Sequence, residues 1–124
     1  MNAKFVAVVS AILVFAFSGL GWLEAENSAG RLVIVRAPNF GWNLVLNIQI
    51  DGRTVANVVQ GRRYDQFLPS GNHTLTVSAV PNLYYSQPTT IRLNVRPGRT
   101  YAFMAMWRDQ YRVVLQPTAV PAAD

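Results

Sequence analysis

The chain has 124 residues, with 11 Lys+Arg against 6 Asp+Glu, a single His and no Cys. That length fits one domain and leaves no room for separate cofactor and substrate halves. Without Cys there is no disulfide, no thiolate nucleophile and no thiolate metal site, and one His makes no imidazole cluster for zinc. A hydrophobic share of 51% with only 14% charged residues places the chain among folded sequences, because that apolar supply offsets chain entropy.

The first element reads as an export segment. Lys4 precedes an uncharged apolar run from Phe5 to Phe17, followed by the small residues Ser18, Gly19 and Gly21. A positive start, an apolar centre and a small-residue flank are the parts of a secretory signal. Two cleavage positions compete: after Ala25, where Leu23 is bulky for a small-x-small site, and at Gly19-Leu20-Gly21. An uncleaved anchor is the other reading, since Phe5 to Leu23 is 19 residues free of charge, about enough to cross a bilayer core. The expected organisation is a hydrophobic signal helix or anchor over residues 1–25, a folded domain over 30–116, and a frayed Ala- and Pro-rich tail over 117–124. Beyond residue 25 every base is Arg, ten against five carboxylates, which attracts the domain weakly to anionic surfaces without naming one.

The pattern after residue 30 has a period of two. In Leu44–Ile50, Leu44, Leu46, Ile48 and Ile50 fall on one face; Thr74–Ala79 and Ile91–Arg96 alternate in the same way. Alternation sends successive side chains to opposite faces of a strand, one wet and one buried. Arg31–Ala37, Arg53–Val59, Arg63–Leu68, Thr100–Trp107 and Tyr111–Gln116 complete eight predicted strands. Asp51-Gly52, Gln60-Gly61, Pro69-Ser70-Gly71, Pro97-Gly98 and Arg108-Asp109 supply turns between them. No helical spacing of apolar residues follows residue 30, so the expected class is all-β, an antiparallel sandwich or barrel of about seven to eight strands.

Three stretches carry a likeness: Ile50-Asp51-Gly52-Arg53-Thr54-Val55-Ala56, Leu68-Pro69-Ser70-Gly71-Asn72-His73-Thr74-Leu75-Thr76-Val77 and Val95-Arg96-Pro97-Gly98-Arg99-Thr100-Tyr101. In that order they resemble the PEGA-type domains of bacterial exported proteins and small uncharacterised relatives of these. The resemblance implies an immunoglobulin-like or transthyretin-like β-sandwich in the bacterial envelope, periplasmic or secreted. It brings no catalytic residue with it.

Candidate chemistry is sparse. His73 pairs with Asp65 if it is a base; otherwise it bonds backbone near the Ser70-Gly71 turn, which is the expected role. There is no Gly-x-Ser-x-Gly elbow for a nucleophile, and Asp51 and Asp109 are expected to bond backbone locally in their turns. Arginines offer more. Arg92 and Arg96 share one wet face, Arg112 faces outward on another strand, and Arg62 and Arg63 stand side by side at a turn; guanidinium forks of this kind grip carboxylates or phosphates. Two loops carry aromatics, Phe40 and Trp42 in one, Tyr84 and Tyr85 in the other, placed to cap the core or to anchor a partner. The strand Thr100–Trp107 is apolar on both faces, so either the loop from Pro81 to Pro88 or a second chain covers the Met104 and Met106 side.

The expected function is an exported, non-catalytic binding module without cofactor or metal. Its contact surface comprises Arg92, Arg96, Arg112, Phe40, Trp42, Tyr84 and Tyr85, and its partner is an anionic envelope glycan, a lipid surface or another protein, not nucleic acid. An assembly subunit pairing through its sheet is the competing expectation. A small hydrolase is the least favoured.

Overall fold

The computed structural model describes residues 28–82 and 85–120, which form eight strands and no helix. The expected signal segment over residues 1–25, Tyr84 and the last four residues of the expected tail lie outside the described residues. Among the described residues no helix is long and apolar enough to cross a membrane. The strands are β1 (Ala29–Arg36), β2 (Val45–Ile50), β3 (Arg53–Val58), β4 (Arg63–Pro69), β5 (Gly71–Val80), β6 (Thr89–Val95), β7 (Thr100–Asp109) and β8 (Arg112–Pro117). All eight predicted strands are present, and the paired edge runs slightly past the expected boundary. Pro117 still pairs with Phe103, and the Thr118 N–H donates to the Ala102 carbonyl at 3.0 Å.

Two four-stranded sheets result, in the orders β4-β1-β7-β8 and β3-β2-β5-β6. Alternation decides which side chains meet between them. Leu32 and Ile34 of β1, Leu46 and Ile48 of β2, Leu75 and Val77 of β5 and Val113 of β8 are all buried in one core cluster. Apolar faces of two sheets that exclude water from one another in this way make a sandwich.

One expectation needs correcting. The sheets are not wholly antiparallel: β1 and β7 run parallel, with Leu32 beside Tyr101 and Ile34 beside Phe103. The chain leaves β6 through the turn at Arg96–Arg99 and returns to the first sheet where β1 begins. The Arg31 N–H donates to the Arg99 carbonyl at 2.8 Å, and the Gly98 N–H to the Ala29 carbonyl at 2.9 Å. Starting from the same end, β7 must run in the direction of β1. Gly30 is what lets that turn sit so close. A Cβ there would lie 2.5 Å from the Val95 Cγ1 and 3.0 Å from the Arg96 carbonyl oxygen.

The connections therefore sort to two ends. At one end lie the turns at Asp51-Gly52, Ser70 and Pro97-Gly98; at the other lie the loop from Ala37 to Leu44, the turn from Val59 to Arg62, the loop from Pro81 to Pro88 and the hairpin at Gln110-Tyr111. Both loops that carry aromatics thus arrive at one end of the sandwich, although they are far apart in the chain.

Candidate functional site

Arg36 organises that end. It is the last residue of β1, and its Nη1 donates to the carbonyls of Leu44 at 2.9 Å and Val58 at 3.0 Å, while Nη2 donates to the Gly41 carbonyl at 2.6 Å. Its guanidinium carbon lies 4.9 Å from the centroid of the Phe40 ring. Phe40 in turn stacks on Trp107, centroids 5.6 Å apart, and the Trp107 Nε1–H donates to the Phe40 carbonyl at 2.8 Å. Partial burial draws the Arg36 pKa below its ordinary value. No carboxylate lies within ion-pair distance of it among the described residues.

The pinned loop splits the end of the sandwich into two clefts that share Gly41. The first, about 470 Å³, has Arg36, Arg62 and Arg63 in its lining together with Val35 and Met104. Arg63, Val35 and Met104 stand in one cross-strand row over β4, β1 and β7, which fixes their spacing. Asp65, two residues along β4 from Arg63, is already engaged. Arg31 grips it through Nε at 2.8 Å and Nη2 at 2.6 Å, and Arg63 lies 3.6 Å away. The Arg31 bond first, and then the charges of Arg31 and Arg63, hold the Asp65 carboxyl below the usual carboxylate range against the opposing effect of burial. None of the cleft's own lining residues is acidic. The second cleft, about 440 Å³, is walled by Phe40, Trp107 and Tyr111 and rimmed by the amides of Asn43 and Gln110.

The residues expected to form a contact surface divide between places. Phe40 is only 1% exposed and caps the core, whereas Trp42 at the tip of the same loop is 81% exposed. Tyr85 is 87% exposed and adopts the left-handed backbone region at φ 55°, an unusual conformation for an aromatic residue. Its loop is closed at the neck by Asn82, whose Oδ1 accepts the Ser86 N–H at 2.7 Å and whose Nδ2 donates to the Ser86 carbonyl at 3.1 Å. The described part of that loop bonds to β8 and its hairpin: Gln87 N–H donates to the Tyr111 carbonyl at 2.6 Å, and the Thr89 hydroxyl donates to the Val113 carbonyl. Arg112, half-buried, donates to the Pro88 carbonyl at 3.3 Å and so holds the loop rather than facing freely outward. Arg92 stands on the outer face of edge strand β6 opposite Thr74, and Arg96 sits in the turn at the far end, its N–H bonded to the Tyr101 hydroxyl at 2.8 Å. The arginines that share an end with the aromatic loops are Arg36, Arg62, Arg63, Arg108 and Arg112. Met104 and Met106 are half-buried, with Met104 in the lining of the arginine cleft.

His73 is not paired with Asp65. Its Nε2 meets the Pro69 carbonyl at 2.7 Å, the expected backbone partner, and its Nδ1 meets the Asp51 carboxylate at 2.7 Å. Asp51 also accepts the Thr74 N–H at 2.9 Å, so its bonds reach across to β5 instead of staying in its own turn. Desolvation pulls the His73 pKa down, but the Asp51 bond, the Pro69 carbonyl and the Asp51 charge outweigh it and leave the pKa raised. The Thr74 N–H and then His73 lower the pKa of Asp51. Asp109 does bond locally, accepting the Tyr111 N–H at 2.8 Å. Among the described residues no group of His, Asp and Glu is arranged to hold a metal ion.

No protein-family model and no curated protein matches this chain.

Proposed function

We propose that the protein is an exported, non-catalytic β-sandwich module that binds the phosphate or carboxylate of an envelope glycan or lipid at its aromatic-loop end. The observation that carries this reading is the cleft whose lining includes Arg36, Arg62 and Arg63 and no acidic residue. A guanidinium presents a planar fork of donors matched to such anions, and a cleft concentrates the field beyond what the same charges achieve on an open face. A binding role is also supported by His73, whose two ring nitrogens are both occupied and leave no free base. The finer fold assignment belongs to the same proposal. Immunoglobulin sandwiches place their second and third strands in different layers. Here β2 and β3 are hydrogen-bonded neighbours in one sheet, which favours the transthyretin-like form of the PEGA-like likeness.

The test is nuclear magnetic resonance of the full chain in zwitterionic detergent, following the arginine Nε–Hε signals during titration with glycerol phosphate or glucuronate. Glycerol phosphate stands for a lipid headgroup and glucuronate for an acidic glycan. Saturable shifts at Arg36, Arg62 and Arg63, absent at Arg92 and abolished by Arg62→Ala, are expected with at least one of them. Equal, non-saturating shifts at every exposed arginine would reduce the cleft to general charge attraction.

One observation favours self-assembly as a second reading. Val55 on edge strand β3 and Phe67 on edge strand β4 are both exposed, Phe67 by 60%, and edges of this kind invite pairing with another sheet. Light scattering of the full chain and of Phe67→Lys at micromolar concentration decides it: a dimer that the substitution dissociates supports assembly, and a monomer in both removes it.

A further inference from the structure

The two clefts at the loop end adjoin. Gly41 lines both, its carbonyl is drawn down by Arg36, and its φ of 132° is a conformation that side-chain-bearing residues rarely adopt. A Cβ at that point would lie 2.9 Å from the Leu44 Cδ1, so glycine is what lets the loop pack on Leu44 where the two clefts meet. The aromatic cleft also differs from a core defect. Phe40 and Trp107 are locked by their stacking and by the Trp107 bond to the Phe40 carbonyl, so the wall is rigid before any ligand arrives. Tyr111, in the same lining, is 54% exposed, and its backbone is fixed by Asp109 and Gln87. At the rim, the side-chain amides of Asn43 and Gln110 are exposed and have no hydrogen-bond partner among the described residues.

Rigid aromatic faces beside unsatisfied amides suit a ring that is apolar on its face and hydroxylated at its edge. A pyranose has that form: its axial C–H groups pack on the aromatic face while its equatorial hydroxyls exchange hydrogen bonds with amides, which both donate and accept. An aliphatic chain would leave the amides unused, and a second aromatic ring has too few polar edge groups to engage them. Across Gly41 the neighbouring subsite asks for negative charge. Resting on the anion-binding reading above, we infer that the ligand is an acidic oligosaccharide, with a neutral sugar ring against Tyr111 and Trp107 and a uronate or phosphate substituent of the adjacent sugar against Arg62 and Arg63, in the cleft whose backbone Arg36 holds. Joining two weak subsites through one ligand makes the second contact intramolecular, so the whole binds far better than either part.

Calorimetry with the full chain in zwitterionic detergent tests this with four probes: glucuronate, an oligosaccharide alternating glucuronate with a neutral sugar, a neutral oligosaccharide of equal length, and tetraglutamate. The alternating oligosaccharide is expected to bind at least about tenfold more tightly than glucuronate, and Tyr111→Ala to remove most of that gain. Tyr111 is a surface residue of a hairpin, so this variant keeps the core intact. Glucuronate binding without any gain for the oligosaccharide would overturn the two-subsite inference while leaving the anion-binding reading in place. Binding of neutral and acidic oligosaccharides with equal affinity, and no response to glucuronate, would overturn both. Tetraglutamate binding as tightly as the alternating oligosaccharide would overturn the sugar assignment in favour of an acidic peptide.

Discussion

Replacing Arg36 with Met tests whether one guanidinium holds the loop end together. The substitution keeps much of the side-chain volume over Phe40 but removes three donors, to Leu44, Val58 and Gly41, which tie the loop and both sheets at one point. Hydrogen bonds from a charged donor contribute about 1.5–3 kcal/mol each. They share one side chain, however, and the bonds are only partly buried, so water replaces part of what is lost. The native state also stops bearing the desolvation that draws the Arg36 pKa down. The net expectation is a loss of about 2–4 kcal/mol, in the range reserved for broken networks. Arg36→Lys is the sharper variant: a single ammonium on a flexible stem retains the charge but cannot serve three divergent carbonyls while lying flat over a ring, so at least about half of the loss should remain. Urea unfolding with the slope held in common gives the difference, and thermal unfolding should follow at about 4–8 °C per kcal/mol for a domain of this size. Amide exchange should accelerate first at Phe40 and Leu44, whose N–H groups donate to Ala37 and Gly41 within the loop. A Lys variant as stable as the native chain, or a Met variant within about 0.5 kcal/mol of it, would refute the assignment.

Two further outcomes follow from the same geometry. His73 is the single histidine, and its raised pKa stabilises the fold fully below the ordinary imidazole value of 6.5, the contribution fading as pH rises past it; the lowered pKa of Asp51 contributes above 3.8 and fades as pH falls below it. Urea midpoints should therefore be higher at pH 5 than at pH 8, and His73→Gln should remove that difference; an unchanged difference in the variant would assign it elsewhere. Phe40→Ala should destabilise by about 3–5 kcal/mol as a buried ring lost from the core, whereas Trp42→Ser should stay within about 0.5 kcal/mol, and equal losses in both would mean that the loop is placed wrongly.

The strands were legible because burial on one face of a sheet imposes a period of two on side chains, and Leu46, Ile48, Leu75 and Val77 show it directly. Direction was not legible. Nothing in the alternation of Tyr101, Phe103 and Ala105 says that β7 lies parallel to β1, because that follows from which end the preceding turn returns to. The same blindness affected the site. Alternation placed Arg92 on a wet face correctly, but whether several arginines meet depends on sheet order, and it brought Arg36 and Arg62 together instead. One signal for Arg36 was available: it ends a strand directly before Ala37-Pro38 and close to Phe40 and Gly41, where a long cationic side chain can reach the carbonyls of the following loop. The bond from His73 to the Pro69 carbonyl was within reach of local reasoning, four residues away. Its partner Asp51 is 22 residues distant and is delivered by the register of β2 against β5.

Both ends of the sandwich carry exposed guanidiniums without side-chain partners among the described residues, Arg53, Arg96 and Arg99 at the Gly30 end as well as Arg62 at the loop end, but the ends differ in what surrounds them. At the Gly30 end, His73 has both nitrogens engaged, Asp51 accepts from backbone and imidazole, and Gly98, Arg31 and Ser70 donate backbone bonds that close the turns. Groups so satisfied gain little from a ligand, since each new bond must displace an existing one. At the loop end the chain is held just as firmly, through Arg36, Asn82 and the Trp107 indole, yet the Arg62 guanidinium and the Asn43 and Gln110 amides are left without partners among the described residues. Rigid backbone beneath unsatisfied side chains is the arrangement that binds with the least ordering cost, because the scaffold is fixed beforehand and only the ligand and a few exposed side chains must settle. The two clefts beside that firmly held loop, more than the net positive charge, are why we propose the aromatic-loop end for recognition.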